Sequence, residues 1–340
     1  MPAPLSIAAA SACLAAAIAA GGAWLVRGTT AVPAAIWAVA ACVALAAEMA
    51  ARSRGDLADP AAAAAVRLCV VALALCPTMA LLGAKRPQHG VWQLIVATLG
   101  VVLMLPAASA TWVRPGSLPD VHLIERCFMP VLILVGWLNF IGTRRATAAT
   151  GIAVGQGLLA RGFLPGAPTA AWFATPSAAT LDAVACGLVA AGAALAAWLA
   201  ASDRATAAAT PTASSAAAGL AAEVDPAFLA VRETFGAAWA LRIAERFDVL
   251  AEARGWPCRL RFSGLDVDAT AAPPGSADGS SPAAADARAR APHPDWPRDA
   301  RRALEALLRR FVDDDWLARH GWPTTTGGPA GFSPGAEDDA

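Results

Sequence analysis

Long apolar runs separated by short charged stretches fill the chain up to Asp203; beyond it the sequence turns polar, Pro-rich and only locally amphipathic. No charged side chain occurs in Met1–Val26, Gly28–Ala47, Pro87–Val113 or Ala183–Ser202. A helix that crosses a hydrocarbon core of about 30 Å needs roughly 20 mostly apolar residues. The pattern predicts spanning helices at about 5–26, 31–51, 62–84, 91–113, 120–143 and 176–201, within a bundle that occupies 1–204. A further candidate at 146–164 is short, Gly-rich and interrupted by Arg161. The expected fold is an all-α membrane protein, a bundle of six or seven transmembrane helices with a small, mostly helical soluble C-terminal module.

Local signals sharpen several of these spans. Trp92 and Trp112 bracket the fourth, and 20 residues of helix place them about 30 Å apart, at the two aromatic belts of a bilayer. Pro106 is expected to kink it. Asp120 after Pro119 reads as the N-cap of the fifth span. Gly151-x-x-x-Gly155 permits close helix contact in the short candidate. The first span is Ala-rich and starts without the basic residues of a secretory leader, so it reads as an uncleaved anchor.

After an Ala/Thr/Ser linker over 205–224, residues 225–265 read as an amphipathic helix followed by a short strand. Asp225-Pro226 opens that helix and Arg254-Gly255-Trp256-Pro257 ends it. Phe228, Val231, Phe235, Trp239, Ile243, Phe247 and Leu250 recur every three or four residues, forming one apolar stripe on helix 226–254. Residues 266–294 have the composition of a disordered segment, 295–323 form a second helical region, and 324–340 read as a disordered tail.

The net charge of zero hides two opposite halves. Residues 1–204 carry 12 Lys and Arg against 7 Asp and Glu, and residues 205–340 carry 14 Arg against 19 Asp and Glu. An acidic tail speaks against nucleic acid as a partner and against a tail lying flat on anionic lipid. The positive-inside count does not orient the chain. Six crossings put Arg52, Arg54, Arg67, Arg114 and Arg126 on the face where the first helix begins, against Arg27, Lys85, Arg86, Arg144, Arg145 and Arg161; a seventh crossing moves Arg161 to the first group. A lone Cys258 in the tail favours a reducing compartment, hence a cytoplasmic tail at the inner membrane.

Candidate chemistry is sparse. Ionisable groups within spans are functional-site hypotheses by default, but Glu48, Arg67 and Asp182 lie in end turns, and Arg67 can snorkel to the interface. Glu125 and Arg126 point about 100° apart on a helix and need not pair. Asn139 and Gln156 are the deeper polar groups, suited to a neighbouring helix or to a substrate. His122-x-x-Glu125 has the spacing of two ligands without a third. Asp313-Asp314-Asp315 reads as a helix start, and Gly155-x-Gly157 has no preceding strand to make a phosphate cradle. The six cysteines in or beside apolar runs and Cys258 form no C-x-x-C pair. No catalytic, cofactor-binding or metal residue is therefore assigned, and no cofactor is expected.

Leu81-Leu82-Gly83-Ala84-Lys85-Arg86-Pro87 and the stretch Phe235–Phe247 resemble segments of uncharacterised bacterial multi-pass membrane proteins with a polar C-terminal tail. The resemblance implies neither an activity nor a site residue. The expected function is a non-enzymatic scaffold or accessory subunit, embedded in the lipid bilayer, that presents its tail to a protein partner through helix 226–254. The alternative is a small-molecule transporter or channel.

Overall fold

The computed structural model describes residues 3–85, 89–166, 176–207, 216–267 and 295–322. Of the segments expected to be disordered, 266–294 and 324–340, Asp266 and Val267 instead end a β-strand, and the rest lies outside the described residues. So do the middle of the linker and the Pro168 region. What is described is mostly helical, with one two-stranded sheet.

Among the described residues seven α-helices precede the module: α1 (Ala3–Leu25), α2 (Val32–Arg54), α3 (Pro60–Leu82), α4 (His89–Ala108), α5 (Leu123–Leu138), α6 (Ala146–Ala160) and α7 (Pro176–Ala207). Among the described residues five helices are long and apolar enough to cross a membrane, and α5 and α6 are shorter. The ends follow from sequence. Gly55, at φ 85°, closes α2 in the left-handed region, and Asp59 caps α3 by accepting the N–H groups of Ala61 and Ala62. Pro106 lies inside α4, and one π-turn, Ser109–Val113, continues that helix. The fifth helix starts later than expected. His122, not Asp120, precedes its first turn, and the His122 N–H donates to the Glu125 carboxylate at 3.2 Å. His122 and Glu125 thus form a helix cap instead of a ligand pair.

Helix α3 is the hub. It packs on α2, α4, α5 and α6, while α1 bridges α2 and α7, and α7 returns against α6. The result is a ring of α1, α2, α3, α6 and α7 with α4 and α5 outside it. Helices α6 and α7 run antiparallel and very close. A Cβ added at Gly155 would lie 2.9 Å from the Ala185 carbonyl oxygen, and one at Gly192 would lie 2.8 Å from that of Ala148. Only glycine admits that approach, so the Gly151-x-x-x-Gly155 motif is used here.

The module holds α8 (Ala216–Phe235), α9 (Ala237–Arg254), a hairpin of β1 (Cys258–Arg261) and β2 (Gly264–Val267), then α10 (Trp296–Leu308) and α11 (Asp314–Arg319). The strands pair antiparallel, Cys258 opposite Val267. Two expectations need correction. The stretch 205–224 is not a linker throughout: α7 runs on to Ala207 and α8 begins at Ala216, as alanine, the strongest helix former, favours. Helix 226–254 is two helices parted at Gly236, whose φ of 85° is left-handed. Asp225 therefore sits inside α8, and its carboxylate accepts the Leu265 N–H at 2.7 Å, tying the hairpin down. Burial pushes that carboxyl up, offset in part by the same N–H.

The apolar stripe is the module's own core. Phe228, Val231, Phe235, Trp239, Ile243 and Phe247 pack with Leu304, Leu308, Phe311 and Trp316, all buried. Cys258 joins them. Burial, with the Asp248 carboxylate nearby, pushes its thiol up to about 12. A thiol so enclosed is protected in either compartment and no longer orients the tail.

The module is docked on the bundle. The Thr30 N–H donates to Phe311 and the Asp313 N–H to Gly28, both at 2.8 Å; the Trp239 indole N–H donates to the Leu81 carbonyl at 3.0 Å. Asn139 sits at the end of α5, not at mid-membrane depth. Its Nδ2 donates to the Phe235 carbonyl at 2.9 Å, its Oδ1 accepts the Ala238 N–H at 3.1 Å, and its backbone carbonyl accepts the Ala237 N–H. Gly236 is the residue that lets Asn139 in, since a Cβ there would lie 2.4 Å from the Asn139 carbonyl oxygen. Gly236→Ala should therefore cost about 1–3 kcal/mol and loosen this joint. Limited proteolysis of the detergent-solubilised chain should cut between α8 and α9 in the variant well before the parent; equal rates would remove Gly236 from this role.

Candidate functional site: a buried charge cluster beneath an interior cavity

Five ionisable side chains meet at the end of the bundle away from the module. Arg67, from the second turn of α3, has no exposed surface, and Glu48 on α2 and Asp182 on α7 are equally enclosed. Arg67 Nε donates to both Glu48 oxygens at 2.7 and 2.9 Å, while Nη1 and Nη2 each donate to one Asp182 oxygen at 3.0 Å. The planar fork thus engages two carboxylates at once. Arg52, one turn beyond Glu48, reaches Asp182 at 2.9 Å and Glu48 at 3.3 Å. Arg161, just after α6, reaches Asp182 at 2.8 Å and donates to the carbonyls of Leu158 and Ala178.

Arg67 does not snorkel: two carboxylates across the bundle hold it inside. Asp182 serves those arginines and not its own helix dipole. The cluster has three arginines and two carboxylates, and the excess positive charge rests on Arg52 and Arg161, whose side chains keep 11 % and 10 % exposure. An arginine cannot act as an acid or base near neutral pH, and both carboxylates are clamped by it. The arrangement is suited to fastening and sealing α2, α3, α6 and α7.

A half-open cavity of about 290 Å³ starts one turn above the cluster, at Leu45 and Val70, three residues from Glu48 and Arg67. Alanines of α1, α2, α3, α6 and α7 form a large part of its walls, with Pro77 of α3, Trp137 of α5 and Phe140 just after α5. Gln156 lies in this wall, its Nε2 donating to the Ala74 carbonyl at 2.8 Å. Thr78 lies one turn above Ala74. Thr98, Thr111 and Thr150 donate to the carbonyl four residues back. For Thr78 that carbonyl is Ala74, already taken by Gln156. Among the described residues its hydroxyl has no hydrogen bond, and it faces the cavity. Towards the module, Ala19, Ala38, Arg145, Ala193 and Ala196 line both this space and a second one of about 230 Å³, roofed by Glu233, Thr234, Trp316 and His320.

Of the sequence candidates, Glu48, Arg67 and Asp182 come together, Gln156 lines the cavity, and Asn139 is engaged elsewhere. Arg126 turns away from Glu125 to donate to the Val121 carbonyl at 3.0 Å. Asp313 caps α11, accepting the Trp316 N–H at 2.7 Å. Among the described residues no group of three His, Cys, Asp or Glu could hold a metal ion. Arg52, Arg161 and Thr78 were missed. The Glu48-x-x-x-Arg52 spacing was a legible signal for the first; the other two depend on contacts across the bundle. No protein-family model, curated protein or solved structure matches this chain.

Removing Arg67 would leave Glu48 and Asp182 with only the more exposed Arg52 and Arg161 against them, and would strip Glu48 of its two shortest bonds. Arg67→Met should cost about 3–5 kcal/mol, the usual penalty for breaking a buried pair. The triple change Glu48→Gln, Arg67→Met, Asp182→Asn should recover none of that loss, because it leaves Arg52 and Arg161 without a carboxylate. Thermal unfolding in detergent checks both; a single variant as stable as the parent would show that the cluster fastens nothing.

Proposed function

We propose that the chain is a seven-crossing integral protein of the inner membrane with its module on the cytoplasmic face, and that its bundle carries a small, mostly apolar molecule without covalent chemistry. The observation that carries this reading is the half-open cavity, walled by the ring of helices and lying between the charge cluster and the docked module. Its 290 Å³ is about twice the 150 Å³ that accommodates benzene, room for roughly twelve heavy atoms. Thr78 and Gln156 indicate one hydrogen-bonding group on the molecule. A ligand hydroxyl can accept from Thr78 and donate to Gln156 Oε1. The scaffold alternative loses the surface that motivated it, because the stripe of 226–254 lies inside the module.

Parity supports seven crossings. The loop residues that touch the module (26–31, 83–85, 139–145) share its face, and all five cluster residues lie at the other end. Both hold only if α5 and α6 cross in opposite directions. Helices of 16 and 15 residues can do so with flanking residues and local bilayer thinning. Orientation is supported by the cluster as well. With the buried Arg52, Arg67 and Arg161 set aside, Arg54, Arg114 and Arg126 oppose Arg27, Lys85, Arg86, Arg144 and Arg145, an excess on the module's face.

Reporter fusions after Ala146, Ala205 and Ala340 should therefore report the cytoplasm and a fusion after Ser177 the opposite side; Ser177 agreeing with Ala146 would sink the seven-crossing arrangement. For the cavity, 10-bromodecan-1-ol in lipid nanodiscs should quench fluorescence saturably, with the saturable part lost in Trp137→Phe. Ala153→Phe should abolish it by filling the space, and Thr78→Val or Gln156→Leu should weaken it roughly fivefold, one hydrogen bond's worth. Quenching that never saturates, or that is equal in Ala153→Phe, would mean partition into lipid alone and would end the carrier reading.

A further inference from the structure

We propose that the groove between the bundle and the module binds the headgroup of an anionic phospholipid. The groove encloses about 560 Å³, and four cations from three separate elements converge on it: Lys85 after α3, Arg242 and Arg246 on α9, and Arg310 after α10. Glu245 is the one acidic side chain in its wall. Among the described residues none of the four cations makes an ion pair, whereas the cluster arginines and Arg232, Arg301 and Arg309 all do. Arg242 instead lies over the Trp239 ring, its guanidinium 5.3 Å from the ring centre.

The depth of the groove identifies the ligand. Its membrane-side wall is Leu82, Gly83 and Trp92, where α3 ends and α4 begins. Trp92 lies on Gly83 and donates its indole N–H to the Met79 carbonyl at 2.7 Å, the place of a tryptophan at a bilayer interface. Phosphates of that leaflet stand at this level, and basic pockets there bind anionic headgroups. The site also revises a reading from net charge. The C-terminal part is acidic overall, yet the face it turns to the membrane surface is basic.

This inference shares with the proposed function only the membrane spans, not the cavity. If alkaline carbonate extracted the chain from membranes, the spans themselves would fail; the following test addresses the groove alone. Native mass spectrometry of the full chain, titrated with phosphatidylglycerol and phosphatidylcholine of equal acyl length, should show one phosphatidylglycerol retained in preference. Arg246→Gln with Arg310→Gln should weaken that retention roughly twenty-five-fold, at about fivefold per charge, and raised salt should weaken it too. Both side chains are exposed, so the thermal transition of the variant should match the parent. Equal retention of the two lipids, or unchanged retention in the variant, would overturn the proposal. Displacement of the lipid by millimolar glycerol 3-phosphate would overturn it as well, by showing a site for soluble phosphate esters.

Discussion

A guanidinium held in a place without water must find two carboxylate oxygens or leave, and Arg67 finds four. Because one of its edges faces Glu48 and another faces Asp182, helices α2, α3 and α7 can meet at this level in only one rotational setting. A bundle walled by alanine has little else to set rotation, since small apolar side chains pack almost equally well when a helix turns a few degrees. Arg161 extends the same constraint to the end of α6 through Asp182 and the carbonyls of two helices. The cavity exists because the ring is pinned at this end without being drawn together above it.

At the other end the joint is made of backbone. Helices that stop at a membrane surface leave carbonyls without partners, and the module supplies donors to several of them. Trp239 serves Leu81, Ala237 serves Asn139, Asp313 serves Gly28 and Arg319 serves Arg27. These bonds bind the module to α1, α3 and α5 together, so it is a fixed roof and not a tethered tail. The same side chain, Trp239, packs in the module core and bonds the bundle, which makes the two parts one folding problem.

Helix existence was legible because an unbroken apolar run has few alternatives to a spanning helix. The aromatic stripe was legible for a similar reason, as 3.6-residue periodicity survives even across the break at Gly236. The charge cluster was not. Arg67 and Asp182 are 115 residues apart, and hydropathy counts each charge as a separate cost, so snorkelling looked easier than pairing. Asn139 and Gln156 carry the same amide and looked alike. Their depths differ because α5 is short and ends at Leu138, which leaves Asn139 at a helix terminus and Gln156 inside α6. The break at Gly236 depends on Asn139, a residue 97 positions earlier, and no local pattern announces it.

Net charge misleads in both halves for one physical reason: a sum ignores which charges have already been neutralised in place. The positive excess of residues 1–204 includes three arginines fixed to Glu48 and Asp182, and those three say nothing about which loops stay in the cytoplasm. The negative excess of the C-terminal part includes carboxylates engaged within the module, such as Asp225 and Asp248, each accepting a backbone N–H of the hairpin. Setting engaged charges aside leaves basic residues on the face where the module meets the bundle, and they come from both halves. That face is where the proposed orientation puts the cytoplasmic leaflet, so loop charge and groove charge, which share only Lys85, support the same placement.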